Sequence, residues 1–165
     1  MKTAVVYYSL EGDTERVARL IAERTGADLI RVKPAKDVPA GGARKFLLGG
    51  FGAIFSTKPE LSQPLPDLNI YDTVFVGTPV WAGHCSPAIR SALSDGHIYG
   101  KDVYLFACCG SSAGKCLDDL RGLLPGNSVK GTMSFENANK IDSSELENKI
   151  NKFCSRITGS SEQTE

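Results

Sequence analysis

Between Ser9 and Thr14 the chain reads SLEGDT, setting two hydroxyls and two carboxylates around a glycine. Small polar residues that open a helix leave backbone N–H groups without acceptors, and the helix dipole there favours an anion. That is the chemistry of a phosphate cradle. An ordinary strand-to-helix turn with Asp13 as N-cap fits the same residues about equally well. A second stretch, GTPVWAGH from Gly77 to His84, holds the only tryptophan of the chain, Trp81. A flat aromatic at a strand end can stack on a flat ligand, or it can close the core from above. The third stretch, CCGSSAG from Cys108 to Gly114, is made of small residues. These let a ligand lie close to the backbone, or simply turn the chain into the next helix.

The elements that must position these stretches follow from hydrophobic period. Thr3 to Tyr8 is a continuous apolar run, as in a parallel strand buried on both faces, and Val17, Leu20 and Ile21 then recur at helical spacing. Further strands are expected at Ala27 to Val32, Thr73 to Gly77, Asp102 to Cys109 and Ser128 to Phe135. Helices are expected at Ser86 to Leu93, Lys115 to Leu124 and about Ser144 to Ile157, where Leu146, Ile150, Phe153 and Ile157 share one face. Strands alternating with helices predict a single-domain α/β fold, a doubly wound five-stranded parallel sheet with right-handed crossovers. The domain is expected to span 1–158, with 159–165 as a solvated tail. Ligands on such sheets bind outside the strand C-terminal ends, which is where all three stretches fall.

The 165 residues suit one compact domain, and 19 Lys plus Arg balance 19 Asp plus Glu without a basic block. No electrostatic footprint for nucleic acid is present. The start MKTAVVYYSLEGD reads as neither a signal peptide nor a membrane span, so a cytoplasmic protein without stable membrane insertion is expected. Five cysteines in no zinc spacing imply reduced thiols and no metal site.

Taken together, YYSLEGDTERVA, GTPVWAG and FACCGSSAG resemble the three cofactor loops of the flavodoxin-like family of FMN-binding proteins, and the likeness of element order extends along nearly the whole chain. The resemblance implies strand order 2-1-3-4-5 and an FMN cofactor. It implies that Ser9, Gly12, Asp13 and Thr14 hold the FMN phosphate, with N–H groups from Leu10 and Glu11. Pro79, Val80, Trp81 and Ala82 would border the isoalloxazine, and Cys109, Gly110 and Ser111 would approach its other side and the ribityl chain. Two departures stand out: Asp13 replaces the family's usual Asn, and Glu11 adds a second carboxylate. The third loop also offers no aromatic for a second stack, which leaves one ring face open to a substrate.

The resemblance implies an FMN oxidoreductase that passes electrons from NAD(P)H or a redox partner to a quinone-like acceptor. The alternatives are a one-electron carrier docking on redox proteins, and a non-enzymatic module that has lost FMN. Carriers of this family typically present a strongly acidic surface, and the neutral net charge of this chain favours the oxidoreductase. A homo-oligomer is compatible with either. No residue is assigned as catalytic. His84, beside the second loop, is a candidate proton donor set against an ordinary loop histidine, and His97 is assigned nothing. A disulfide between Cys109 and Cys116 would need Cα atoms within about 7 Å. The apolar, glycine-rich centre of the Lys33 to Pro66 segment, Phe46 to Phe55, is expected as a helix covering the sheet, with a lid, a dimer contact or a membrane-surface contact as the functional variants.

Overall fold

The computed structural model describes residues 1–37, 58–94 and 98–158. In chain order the elements are β1 (Thr3–Tyr7), α1 (Asp13–Thr25), β2 (Asp28–Arg31), β3 (Thr73–Trp81), β4 (His84–Cys85), α2 (Pro87–Ser94), β5 (Asp102–Cys109), α3 (Cys116–Gly122), β6 (Ser128–Glu136) and α4 (Ser143–Thr158). The parallel sheet runs β2-β1-β3-β5-β6, which is 2-1-3-4-5 when the five parallel strands are counted in sequence. The expected tail, the Phe46 to Phe55 helix and His97 lie outside the described residues.

Alternation along each strand divides the core in two. Ala4, Val6, Val74, Val76, Val103 and Leu105 face one side, where Ile89 of α2 and Leu120 of α3 cover them. Val5, Tyr7, Phe75, Tyr104 and Phe106 face the other, covered by Val17 and Ile21 of α1 and by Leu146, Ile150 and Phe153 of α4. Both faces of the central strands are therefore fully covered, as a parallel sheet requires. An aromatic cluster cements the second side: Phe75 and Tyr104 stack at 4.9 Å between ring centroids, with Phe153 edge-on to both.

The third strand departs from expectation. It does not stop at Gly77 but continues through Pro79 to Trp81, and a turn at Ala82 and Gly83 returns the chain as β4, which pairs antiparallel with it. The pairing with β1 ends at Gly77, whereas that with β5 reaches Pro79. On the β1 side nothing is left to take a ladder hydrogen bond, so a proline without an N–H is tolerated there. The second stretch is thus a hairpin, not a loop.

Gly77 is the last residue of β3 to pair with β1. A Cβ there would meet the Phe106 ring at 2.0 Å. Gly77→Ala is expected to cost about 1–3 kcal/mol through overpacking, read as a fall in urea midpoint with an unchanged m-value. An unchanged midpoint would mean that the Phe106 ring yields freely.

Candidate functional site

At the C-terminal edge of the sheet four connections surround one cavity of about 610 Å³. Its position is the point where the chain order reverses between β1 and β3. Every residue named as a cofactor contact lines it except Gly12: Ser9, Leu10, Glu11, Asp13 and Thr14, then Pro79, Val80, Trp81 and Ala82, then Cys109, Gly110 and Ser111.

The first connection is shaped by Gly12, which adopts φ 104°, a left-handed conformation that L side chains rarely take, although a Cβ would meet nothing within 4 Å. Its N–H donates to Ser9 Oγ at 3.1 Å, closing the turn. Gly12, not Asp13, is therefore the N-cap, and Asp13 is the first helical residue. The N–H groups of the first helical turn have no intrahelical acceptors, and Asp13 and Thr14 of that turn line the cavity. Arg31 holds the connection from the sheet edge, donating to the Ser9 carbonyl at 3.0 Å and pairing with Glu15 at 2.7 Å. The hydrogen bond from Arg19 lowers the Glu15 pKa.

Two buried oxygens here lack hydrogen bonds of normal geometry, Thr14 Oγ1 and Asp13 Oδ1. Thr14 does lie near the Cys108 thiol and lowers its pKa somewhat, but burial dominates and pushes that thiol up to about 12. A buried hydroxyl at a helix N-terminus is matched by an anion that accepts its hydrogen bond. A buried carboxylate oxygen is matched by a donor and opposes an anion. The cradle therefore fits a phosphate, with Asp13 working against it.

Across the cavity, Trp81 is half-buried and is braced from behind by Tyr8, whose ring meets it edge-on at 5.9 Å. Tyr8 is itself fixed, since its hydroxyl donates to Asp37 Oδ1 at 2.6 Å. Burial, reinforced by that bond, raises the phenol well above its ordinary pKa. The third connection brings Cys108, Cys109, Gly110, Ser111 and Ser112 to the lining. Burial raises the Cys109 pKa as well, so both thiols are neutral. All five cysteines are unbridged, and Cys116 is fully buried in the core.

Sequence reading stopped at three connections and passed over a fourth, which brings Asn137, Asn139 and Lys140 to the lining. Asn137 takes φ 49°, a conformation for which Asn is the favoured non-glycine residue. Its N–H donates to the Cys109 carbonyl and its side-chain amide to the Gly110 carbonyl, each at 2.8 Å, tying the third connection to the fourth. The rule that points to strand C-terminal ends applies equally to the end of β6 and was the signal available. Gly83 of the second stretch and Cys108 and Ser112 of the third, which the resemblance does not name as contacts, line the cavity as well. His84 does not line the cavity; its ring turns to Asp119 on α3.

Fold and cavity together define a doubly wound α/β protein with the N-terminus of α1 and Trp81 lining one cavity at its switch point. A family model described as flavodoxin matches residues 54–153, and the chain belongs to the flavodoxin family. That match begins beyond the Ser9 to Thr14 connection. Among solved structures, a Bacteroides eggerthii protein, provisionally assigned as a flavoprotein, is 25% identical, with a TM-score of 0.76 over 95% of this chain and 98% of its own. A Lactobacillus acidophilus flavoprotein in complex with FMN is 22% identical, with a TM-score of 0.65 over 89% of this chain and 97% of its own. A WrbA-like flavodoxin of Agrobacterium tumefaciens is 19% identical, with a TM-score of 0.64 over 99% of both chains. The latter two likenesses are of fold. Among the described residues no helix is long and apolar enough to cross a membrane.

Proposed function

We propose that this chain binds FMN and acts as a flavin-dependent oxidoreductase, taking electrons from NAD(P)H or a redox partner and passing them to a quinone-like acceptor. The observation that carries this reading is one cavity shared by the α1 N-terminus and the Trp81 wall, which suits a ligand with a phosphate at one end and a flat ring at the other. Ser9, Thr14 and the first-turn N–H groups would hold the phosphate, and Pro79 to Ala82 would border the ring, with Cys109 to Ser111 toward its other side. Bound FMN supplies the electron-transfer chemistry; the protein binds it, orients it and keeps one ring face accessible. Among the described residues Trp81 is the one aromatic of the lining, which supports an open face and a small-molecule acceptor. Unbridged cysteines support a cytoplasmic setting.

The test is a steady-state assay with NADH or NADPH and a soluble quinone, after loading with FMN. Parallel-line, ping-pong kinetics are expected, because donor and acceptor use the same open side of the cavity in turn. A protein that binds FMN tightly, ignores both nicotinamides and exchanges single electrons with partner proteins would instead be a carrier.

A further inference from the structure

One carboxylate holds the hairpin that carries Trp81 from outside the cavity. Asp119 Oδ2 on α3 accepts hydrogen bonds from His84 Nδ1 at 2.8 Å and from the Cys85 N–H at 3.3 Å, and lies 3.6 Å from the Arg90 guanidinium. Trp81 and His84 stand directly opposite each other in the β3–β4 pair. Opposed residues of an antiparallel pair project from the same face within side-chain reach. The turn between them puts Ala82 at φ 48°, a backbone conformation that alanine seldom adopts unaided. The same hairpin is anchored where the Lys115 N–H donates to the Gly83 carbonyl at 2.7 Å. The Cα atoms of Gly83 and Gly114 sit so close that a Cβ on Gly114 would come within 2.6 Å of Gly83 Cα.

We propose that Asp119 is a positioning residue which, through His84 and the Cys85 amide, clamps the β3–β4 hairpin and so sets how Trp81 faces the cavity. Its consequence for ligand binding rests on the reading of Trp81 as the flavin wall; the clamp itself does not. The pair is partly exposed, with side-chain accessibilities of 37% for His84 and 20% for Asp119, so its effect is moderate. Groups facing His84 include Asp119 on α3 and, behind it, Arg90 on α2. The nearby thiols of Cys85 and Cys116 are buried and shifted upward, Cys85 to about 11, so they stay neutral.

Trp81 is the only tryptophan, so its emission reports the hairpin without any ligand. Asp119→Asn keeps an acceptor for the Cys85 N–H but removes the charge, and His84→Gln removes the imidazole. In ligand-free protein, both substitutions are expected to make Trp81 more accessible to acrylamide quenching. Asp119→Glu, which keeps the charged acceptor, should recover most of the protection, whereas a role of Asp119 in the fold of α3 alone would lower stability without changing the quenching of the folded protein. FMN binding by either variant should weaken about two- to five-fold. Should Asp119→Asn fail to fold, His84→Gln carries the test from the exposed side of the pair. Quenching equal to the unsubstituted protein in both variants overturns the clamp. A loosened hairpin with unchanged FMN affinity supports the clamp and overturns instead the assignment of Trp81 to the flavin wall.

Discussion

Asp13→Asn is expected to tighten FMN binding, by a few-fold at least and by more than a hundredfold if the cradle is well shielded. A carboxylate about 5 Å from one unit of phosphate charge costs roughly 0.8 kcal/mol at a water-like dielectric and about 3 kcal/mol at an effective constant of 20, with about 1.4 kcal/mol per decade of affinity. The structure adds a reason to expect more than the lower bound: Asp13 Oδ1 is buried beside the cradle without a hydrogen-bond donor. Because Gly12 and not Asp13 is the N-cap, the substitution removes no capping bond. It forfeits at most the charge–dipole gain of a first-turn carboxylate, about 0.3–1 kcal/mol. Titration with FMN and with riboflavin isolates the phosphate contribution, and high salt should shrink it where solvent reaches the cradle. Equal tightening for both ligands would assign Asp13 to loop shape. Weaker FMN binding by the Asn variant would make the Asp itself a positioning residue.

Trp81→Ala is expected to lose about 1–3 kcal/mol of FMN affinity, on the scale measured for aromatic stacking on nucleobases, or roughly 5- to 150-fold. The indole does not stand alone, because Tyr8 braces it edge-on and is pinned by Asp37. The ring is thus pre-positioned, and little ordering entropy opposes the stack. FMN should quench the emission of the unsubstituted protein. Emission unchanged at saturating FMN would show that Trp81 serves the core and not the ligand.

The parallel sheet was legible because β1 and β5 are near-continuous apolar runs, and because the period changes within a few residues from Tyr8 to Val17, whereas its strand order followed only from the family resemblance. The end of β3 was misread for a physical reason. Gly77 and Pro79 are strand breakers in isolation, yet here the glycine makes room for the Phe106 ring and the proline lies beyond the last β1 pairing. Both are tertiary circumstances that local sequence does not carry. The same holds for His84, whose partner Asp119 is 35 residues away in sequence, and for Arg31, which reaches the Ser9 carbonyl from the next strand. The Asn137 to Lys140 connection was within reach, since an asparagine after a strand is a turn signal and β6 ends at the same edge of the sheet as β1, β3 and β5.

The most direct test is to incubate the purified protein with excess FMN, remove free ligand, and identify what is retained by absorbance and mass spectrometry. The three connections are expected to retain one FMN per chain, with Trp81 emission quenched in step with occupancy and no FAD retained from an equimolar mixture, since no Gly-x-Gly-x-x-Gly adenine-binding motif is present. Retention of FAD in preference to FMN, or of no flavin at all, would contradict the account.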